Sequence, residues 1–552
     1  MRYLLTSRHA VTAALLVNLL LAVNASAQSC PVSGTFNGSI GVGDATQTGR
    51  LARDLNPSDC GGPKTVPDVV DLTPRRFDQY TFTNTSASAV CVQVTINPQS
   101  CDGTIFSAAY LGSFNPADVS QNYLGDSGDS PPANTPLSYS FNVPAGATFV
   151  VVVHEVEPGA GCAAYTMSVG CGTPGAGVGQ VLISEFRLSG PDGGLRELRD
   201  ESVEPSGPDG GVLDQRDEFI DLYNNTDAPI SIGRYLLRAF DPSIPGDFTF
   251  EIPPGTTIPA RGHFLIGDGG GYSLSSYAAL DLDLNFDIDF FIDNEGFQLV
   301  GPPNNAIVVD SVGFAGGGNA AQYVEGTGLT RRSSTPAVQY SYVRKLYTGR
   351  PQDTNNNAAD FALISVTGEV FAEAGPTMLG APGPENRFSP INRTGPILTQ
   401  ALDPSVPAAS EPNRVRNLNP VPNGQFGTLS IQRRFINNTG APITRLRFRL
   451  VDFTTLNSPG YTPGGPQADI RALSSTGVVT RTDGSTVVTV LGTTLEQPPD
   501  QPLGGGYNST VAAGTITPST PLMPGEAIEL QLLAGVEQRG TFRYFVIIEV
   551  TP

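Results

Sequence analysis

Short apolar runs recur along almost the whole chain, and they constrain its fold more than any other feature. The runs are rich in Val, Ile, Phe and Thr and are bounded by Gly, Pro or Asn, as in Phe149–Val153, Val181–Ile183, Ile307–Val309, Val487–Leu491 and Phe542–Ile548. Short strands at this density, with turn residues between them, are typical of β-sandwiches or barrels rather than of alternating strands and helices. The sequence therefore predicts an all-β protein.

Composition bears on the number of domains and on one class of partner. The chain has 552 residues, of which 63 are Gly and 47 are Pro. The combined share of Gly and Pro is below the level, about 25–30%, that is typical of low-complexity chains. A chain of this length is expected to form about three domains. Asp plus Glu number 52 against 32 Lys plus Arg, for a net charge of −20. Nucleic-acid binding needs clustered positive charge, so we expect no nucleic-acid partner.

The N-terminus has the composition of a secretory signal peptide. Arg2 and Arg8 precede an apolar stretch from Ala10 to Val23, and Ala25-Ser-Ala27 supplies the small residues of a cleavage site. The stretch is too short to be a retained transmembrane helix, and no other run of the sequence approaches the required length. We therefore expect residues 1–27 to be removed and the mature protein to be secreted without a membrane span, with the periplasm as the alternative destination.

The cysteines all lie in the first third of the chain, and they are Cys30, Cys60, Cys91, Cys101, Cys162 and Cys171. An even number in an exported protein predicts that all of them form disulfides. One predicted strand has Cys91 and Cys101 at its ends, and another has Cys162 and Cys171. If these strands pair antiparallel, the bonds are Cys91–Cys171 and Cys101–Cys162, which leaves Cys30–Cys60. This pairing is a hypothesis, and other connectivities remain open.

Two stretches of linker composition divide the mature chain into three segments. The stretches Gly172–Gly177 and Leu379–Pro384 are rich in Gly, Pro and Ala, as linkers are. We expect tandem β-sandwich domains at residues 28–174, which hold the cysteines, at 178–388 and at 395–552. Each segment contains one predicted turn in which Asn comes shortly after an aromatic residue at the end of a strand. The three turns lie within Phe82–Ser86, Tyr223–Ile230 and Phe435–Ile443. We attribute this recurrence to convergent hairpin chemistry rather than to gene duplication.

The middle segment contains eight stretches in the order expected of a lamin-tail domain: Leu182–Phe186, Asp217–Thr226, Ile252–Pro259, Gly262–Ile266, Asn294–Leu299, Val309–Phe314, Asp353–Phe361 and Pro382–Asn386. The segment thus resembles the lamin-tail family, which implies an immunoglobulin-type β-sandwich. Bacterial secreted members often sit beside hydrolases or nucleases, but the module has no agreed catalytic residues, so the resemblance assigns none here. The first segment resembles, more loosely, the jelly-roll modules of exported bacterial peptidases, and the third looks like another immunoglobulin-type sandwich.

A possible catalytic motif is weak. The segment Gly125–Asp129 is similar to the Gly-Asp-Ser-Gly-Gly around the nucleophile of trypsin-like proteases, but Asp129 replaces the last glycine and His154 follows the serine instead of preceding it. Such a nucleophile needs a base that a carboxylate orients, whereas His154 ends an apolar strand and is expected to be packed. Only His154 and His263 remain after processing, which excludes a His-rich metal centre.

The stretch Asp281–Asp293 is the candidate for a metal site. If it is a strand, Asp281, Asp283, Asn285, Asp287 and Asp289 align on one face, with neighbours about 7 Å apart. Carboxylates so placed repel one another unless water screens them or a cation binds, and calcium prefers oxygen ligands. The simpler interpretation is a solvated acidic face without an ion. We expect no other cofactor.

Three arginines, Arg445, Arg447 and Arg449, alternate with apolar residues, which places three cations on one face of a strand. We expect this face to be exposed to solvent. The alternative is that it docks onto the acidic middle segment or onto an acidic glycan.

Together these features predict a secreted, non-enzymatic multidomain protein with a structural, adhesive or binding role, whose partner is a protein or a polysaccharide. No pairing of a nucleophile with a base supports catalysis. The alternative is an extracellular hydrolase, or a protein accessory to one, with a carboxylate-based or calcium-dependent site, because the many acidic residues would supply its carboxylates.

Overall fold

The computed structural model describes residues 30–60, 64–172, 178–188, 190–191, 217–239, 247–267, 272–274, 281–285, 296–301, 307–316, 319–331, 338–346 and 349–551. These residues are nearly all β structure, as the sequence predicts: they form 36 strands, one short α-helix and one 3-10 helix. Among them, no helix has the length and apolar character needed to cross a membrane. The predicted signal peptide lies outside the described residues. We refer to residues 30–172, 178–388 and 389–551 as the N-terminal, middle and C-terminal regions.

The N-terminal region contains two sheets. Its strands are β1 (Gly34–Ile40), β2 (Thr46–Thr48), β3 (Pro74–Thr83), β4 (Val90–Asn97), β5 (Ile105–Leu111), β6 (Tyr123–Asp126), β7 (Leu137–Val143), β8 (Thr148–Glu155) and β9 (Cys162–Cys171). One sheet has the order β1-β9-β4-β7 and the other β2-β3-β8-β5-β6. Val94 of β4 and Val151 and Val153 of β8 share a core between the sheets. Val150 and Val152 face a second apolar cluster, so β8 is apolar at successive residues because both of its faces are buried.

Three disulfides close the N-terminal region, and they correct the predicted pairing. The structure contains Cys101–Cys162, as predicted, but its other bonds are Cys30–Cys171 and Cys60–Cys91; the predicted Cys91–Cys171 and Cys30–Cys60 pairs are wrong. Strands β4 and β9 do pair antiparallel, but Cys171 lies opposite Val92, the residue after Cys91. Because consecutive residues of a strand point to opposite faces, Cys91 and Cys171 cannot meet.

The middle region is built around a seven-stranded sheet. Its strands are β10 (Val181–Arg187), β11 (Phe219–Asn224), β12 (Ile230–Ser231), β13 (Leu236–Ala239), β14 (Phe248–Glu251), β15 (Thr257–Ile258), β16 (His263–Gly267), β17 (Leu284–Asn285), β18 (Phe297–Gly301), β19 (Ile307–Val312), β20 (Tyr340–Arg344), β21 (Phe361–Ser365), β22 (Val370–Phe371), β23 (Gly375–Pro376) and β24 (Met378–Leu379). A 3-10 helix spans Asn319–Tyr323, and the helix α1 spans Asn357–Asp360.

Two sheets of the middle region enclose an apolar core. The seven-stranded sheet has the order β17-β16-β11-β10-β20-β21-β24, and a four-stranded sheet has the order β14-β13-β18-β19. Two short pairs, β12-β15 and β22-β23, complete the region. Ile220 and Phe264 of the larger sheet pack with Leu237 and Leu299 of the smaller one. One face of the seven-stranded sheet is therefore covered within its own region.

The C-terminal region also has two main sheets. Its strands are β25 (Ile391–Asn392), β26 (Ile397–Ala401), β27 (Arg414–Asn417), β28 (Thr428–Asn437), β29 (Arg445–Phe453), β30 (Asp469–Leu473), β31 (Val478–Thr482), β32 (Thr486–Val490), β33 (Thr494–Leu495), β34 (Thr510–Ala512), β35 (Ala527–Gln538) and β36 (Tyr544–Thr551). The sheets have the orders β25-β36-β29-β34-β33 and β26-β28-β35-β30, β27 pairs with β28, and β31-β32 is a separate hairpin. Because β25 pairs with β36, this sheet begins before the predicted boundary at residue 395.

The recurring Asn turn has the same hydrogen bonds in all three regions. Asn84, Asn224 and Asn437 are fully buried. In each case the side-chain amide donates to the backbone oxygen four residues ahead and to a second chain segment, and the side-chain oxygen accepts the backbone amide two residues ahead. One side chain thus satisfies the polar backbone groups of a buried turn at the end of a strand.

Candidate functional site

The centre of the seven-stranded sheet is buried on both faces, and part of its second face is polar. Every residue of β10 and β11 is buried. Ile220 enters the apolar core, while Asp221 points to the opposite face, as the alternation of the sequence predicts. Glu185 lies directly opposite Asp221 on the neighbouring strand, and His263 lies opposite Tyr223. The sheet register therefore gathers carboxylates and a histidine on one face.

The C-terminal region covers this polar face with arginines that the sequence predicts to be exposed. Arg447 and Arg449 of β29 are 0% and 3% exposed, so the prediction of a solvated face is wrong for both. Arg445 keeps some exposure and pairs with Glu496. For Arg447 and Arg449 the structure agrees instead with the alternative prediction, in which this face docks against the middle region. A strand with alternating cations does not reveal whether water or another sheet covers it.

Two carboxylates hold the two buried arginines. Glu549 of β36 accepts from Nε of Arg447 at 2.5 Å and from Nε of Arg449 at 2.7 Å. Glu385, which follows β24, has its Oε1 2.9 Å from Nη2 of Arg449 and also contacts Arg447. Burial alone would raise the pKa of Glu549, but the two guanidinium groups lower it. Desolvation of four charges is tolerated only when each has a close opposite partner, and this arrangement provides that.

His263 extends the ion pairs into the seven-stranded sheet. Its Nδ1 is 2.8 Å from Oδ1 of Asp221, and its Nε2 is 3.1 Å from Oε2 of Glu385. The backbone amide of Glu385 also donates to Asp221 at 3.1 Å. A histidine between two carboxylates donates from both ring nitrogens when it is protonated. We call the set formed by Glu185, Asp221, His263, Glu385, Arg447, Arg449, Asn508 and Glu549 the interface cluster.

Glu185 is the member of the interface cluster whose pKa lies near neutrality. Burial raises its pKa to about 7, against the opposing effect of hydrogen bonds from Ser341 and Gly383. Those bonds measure 2.6 Å and 3.0 Å, and Asn508 of the C-terminal region donates to the other carboxylate oxygen at 3.1 Å. A carboxyl group that titrates near neutrality is typical of general acids and bases. Glu185 is therefore a candidate for proton transfer.

The cavity beside the interface cluster is too small for a substrate. Its volume is about 40 Å³, and Glu185, Asp221, His263, Arg449 and Glu549 are among the residues that line it. A water molecule occupies about 30 Å³ of liquid, whereas ligand pockets measure about 300–1,000 Å³. The arrangement can hold protons and a water molecule and can join two regions of the chain. It has no room for a sugar ring or a peptide.

The predicted calcium site is only partly within the described residues. Asp287 and Asp289 lie outside them, and the strand expected from Asp281 onward begins at Leu284. Asp283 accepts the backbone amides of Leu265 and Arg387 at 3.0 Å and 2.9 Å. Its carboxylate therefore holds two chain segments together, because hydrogen bonds from protein amides satisfy it without an ion. Calcium binding by this stretch stays a prediction.

A second acidic group, which the sequence analysis missed, surrounds Arg344. Carboxylate oxygens of Asp310, Glu325 and Asp353 lie within 4.8 Å of one another. Arg344 is 2.6 Å from Asp310 and 3.8 Å from Asp353, so a guanidinium supplies positive charge to the group. Burial, followed by the charge of Asp310, raises the pKa of Glu325 to about 7. These residues are far apart in the sequence, and no spacing pattern connects them.

Ser127 and His154 do not form a catalytic pair. Oγ of Ser127 donates to the backbone oxygen of Asp129 at 2.8 Å, whereas Nδ1 of His154 faces the backbone oxygen of Glu155 at 2.8 Å. His154 is buried, and burial lowers its pKa to about 4. The histidine is a packed, neutral imidazole, as predicted.

None of the carboxylates of the interface cluster was predicted as a site residue, and Glu549 and Glu385 illustrate why. Glu549 is an acidic residue between Ile548 and Val550 in the final apolar strand. Its position could have indicated a buried ion pair, because glutamate is almost never fully buried without a partner. Glu385 lies within Pro382–Asn386, whose Gly and Pro residues indicated a linker. In the structure this stretch is buried and carries the carboxylate between the two regions.

Comparison with protein-family models found none that matches the chain, and comparison with curated proteins found no match.

Proposed function

We propose that the protein is a secreted, non-enzymatic protein of three tandem β-sandwich domains with a structural, adhesive or binding role. On this proposal the domains are a jelly-roll-like one, a lamin-tail-like immunoglobulin sandwich and a second immunoglobulin-like sandwich. Support comes from the nearly all-β fold, from sheets whose strands each come from one region, and from three disulfides, which persist in oxidising compartments. The partner is a protein or a polysaccharide.

The observation that carries the proposal is that the interface cluster joins two regions of the chain and leaves no room for a substrate. It contains the groups that an active site needs, namely a histidine between carboxylates and Glu185 with its raised pKa, yet these groups lie against arginines of a second region and beside a cavity of only about 40 Å³. Buried ionic networks of this kind favour one specific arrangement of the parts that they join. We infer that the cluster orients the middle and C-terminal regions so that their loops present a fixed contact surface.

The test is retention of natural partners by the mature chain. Purified protein is immobilised and exposed to polysaccharides and surface proteins from its own culture. The Glu549→Gln variant serves as the comparison, because it leaves the two arginines that face the middle region with one carboxylate fewer and changes no loop residue. We expect a ligand that binds the wild type and binds the variant at least about tenfold more weakly. Failure of every fraction to bind the wild type contradicts the binding role.

The alternative function is an extracellular hydrolase or hydrolase accessory, and the pKa of Glu185 favours it. Replacing Glu185 with Gln separates the two functions, because it removes the proton-transfer group and keeps the size of the side chain. A hydrolase loses turnover of glycoside or ester substrates by about a hundredfold or more in the variant. We expect no turnover in either protein. Wild-type turnover that disappears in the variant overturns the proposed function.

A further inference from the structure

One end of the C-terminal core opens into a pocket that shares no residue with the interface cluster. Its volume is about 360 Å³, within the range of about 300–1,000 Å³ that small-molecule pockets occupy. Its floor consists of Leu429, Ala468, Ile470 and Val536, all of them buried. Protein interiors are close-packed and contain few voids larger than a water molecule. An opening of this size onto an apolar core is therefore suited to an apolar ligand.

Two arginines line the pocket and form its rim, the half-buried Arg416 of β27 and the exposed Arg539 after β35. Arg416 donates from Nη1 to the backbone oxygens of Asn417 and Thr428, both at 2.6 Å, and from Nη2 to that of Phe426. Arg539 lies over the ring of Phe426 at 4.6 Å. In the described part of the C-terminal region the ion pairs are made by other arginines. The pocket thus combines an apolar floor with a cationic rim.

Among the described residues, no acidic side chain at the same end of the sheet forms an ion pair with Arg416 or Arg539. Asp469 at the start of β30 pairs with Arg471 at 2.6 Å, and Glu537 near the end of β35 accepts the backbone amide of Gln425 at 3.2 Å. Burial lowers the pKa of Arg416, and the charge of Arg539 lowers it further. Two like charges that face one apolar opening favour an anion between them.

We propose that this pocket binds a small organic anion with an apolar body, a medium-chain carboxylate. The hydrocarbon would cover Leu429, Ile470 and Val536, which removes apolar surface from water. The carboxylate would accept hydrogen bonds from Arg416 and Arg539, whose planar guanidinium groups match its geometry. The proposal is independent of the proposed function, because none of these residues belongs to the interface cluster.

The experiment measures binding of decanoate to the full mature chain by isothermal titration calorimetry. Decyltrimethylammonium, which has the same chain length and the opposite charge, is titrated in parallel. We expect decanoate to bind with a Kd below about 100 μM and the cation to bind at least about tenfold more weakly. We also expect the affinity for decanoate to fall as the salt concentration rises, because the ionic contacts at the rim are partly exposed.

Substitutions locate the binding. Arg539→Gln alters an exposed side chain and should weaken decanoate binding at least about tenfold, while Arg481→Gln, on the exposed β31-β32 hairpin, should not change it. Ala468→Leu extends a side chain from the pocket floor and should also weaken binding. Melting curves establish that each variant is folded, and if Ala468→Leu fails to fold, the Arg539 variant decides the outcome.

Three results would overturn the proposal. The first is no decanoate binding up to about 1 mM. The second is equal binding of decanoate and decyltrimethylammonium, which indicates an apolar surface without selection for charge. The third is unchanged decanoate affinity in a folded Arg539→Gln variant, which places the anion elsewhere. Loss of affinity in the folded Arg539→Gln variant, with full affinity in the Arg481→Gln control, supports it.

Discussion

The N-terminal region and the interface cluster both hold sheets together, and they do so by opposite chemistry. The N-terminal region combines an apolar core with three disulfides, and the disulfide that closes the longest loop joins residues 141 apart in the sequence. The interface cluster instead buries arginines between carboxylates. A disulfide acts largely by restricting the unfolded chain, whereas an ion network requires every charge to keep its partner. The first should therefore be sensitive to reductant, and the second to pH and to single substitutions.

The largest effect is expected from the Cys30–Cys171 bond. The double substitution Cys30→Ala and Cys171→Ala opens the loop between two residues that are 141 apart in the sequence. The chain-entropy relation gives a loss of about 5 kcal/mol in the free energy of unfolding. Removing Cys60–Cys91, whose separation is 31, should cost about 4 kcal/mol. Calorimetric melting should show the loss in the transition of the N-terminal region. Equal losses in the transitions of all regions would contradict this separation.

Breaking one ion pair of the interface cluster should have the next largest effect. Glu549→Gln leaves Arg447 and Arg449 with one carboxylate fewer, and removal of one partner from a buried pair costs about 3–5 kcal/mol. The control is Glu529→Gln, which removes a partner of the half-exposed Arg434 and should cost less than about 1 kcal/mol. Chemical denaturation of both variants measures the difference. Similar losses in the two variants would show that the interface cluster is hydrated.

The pH dependence of the junction tests Glu185. Its folded pKa of about 7 lies above the ordinary value of 4.5, so the folded state retains a proton that the unfolded state releases. The stabilising contribution is present below pH 4.5, falls as the pH rises through 7, and amounts to about 3 kcal/mol. Glu185→Gln should abolish this component when unfolding is measured from pH 4 to pH 8. Ser341→Ala, which removes a hydrogen bond to the carboxylate, should move it to higher pH.

The smallest effect is expected from the buried Asn turn that all three regions share. Asn437→Ala removes a fully buried side chain that donates to two backbone oxygens and accepts a backbone amide, and we expect a loss of about 2 kcal/mol. Asn438→Ala, at the exposed neighbouring residue, should cost less than about 0.5 kcal/mol. Denaturant melts compare the two. Asn84→Ala and Asn224→Ala should resemble Asn437→Ala, and a marked difference among the three would show that the turns are not equivalent.

Local features of the sequence predicted the fold class and part of the covalent framework. Period-two alternation placed Ile220 and Asp221 on opposite faces of β11, and the aromatic-to-Asn segments marked three turns. The antiparallel pairing of β4 and β9 was also correct, and with it Cys101–Cys162. The other two disulfides were wrong because a register shift of one residue reverses the face to which a side chain points. Pattern alone does not determine register.

What the sequence determined by itself is the alternation of each strand, the chemistry at its turns and the number of cysteines available for pairing, because these depend on neighbours along the chain. Only the tertiary structure decided what covers each face. Arg447 and Arg449 would form a solvated surface on an isolated strand, and they are buried because Glu385 of the middle region and Glu549 of β36 compensate their charges. Burial of a charge depends on partners that are distant in sequence, and folding alone brings them together.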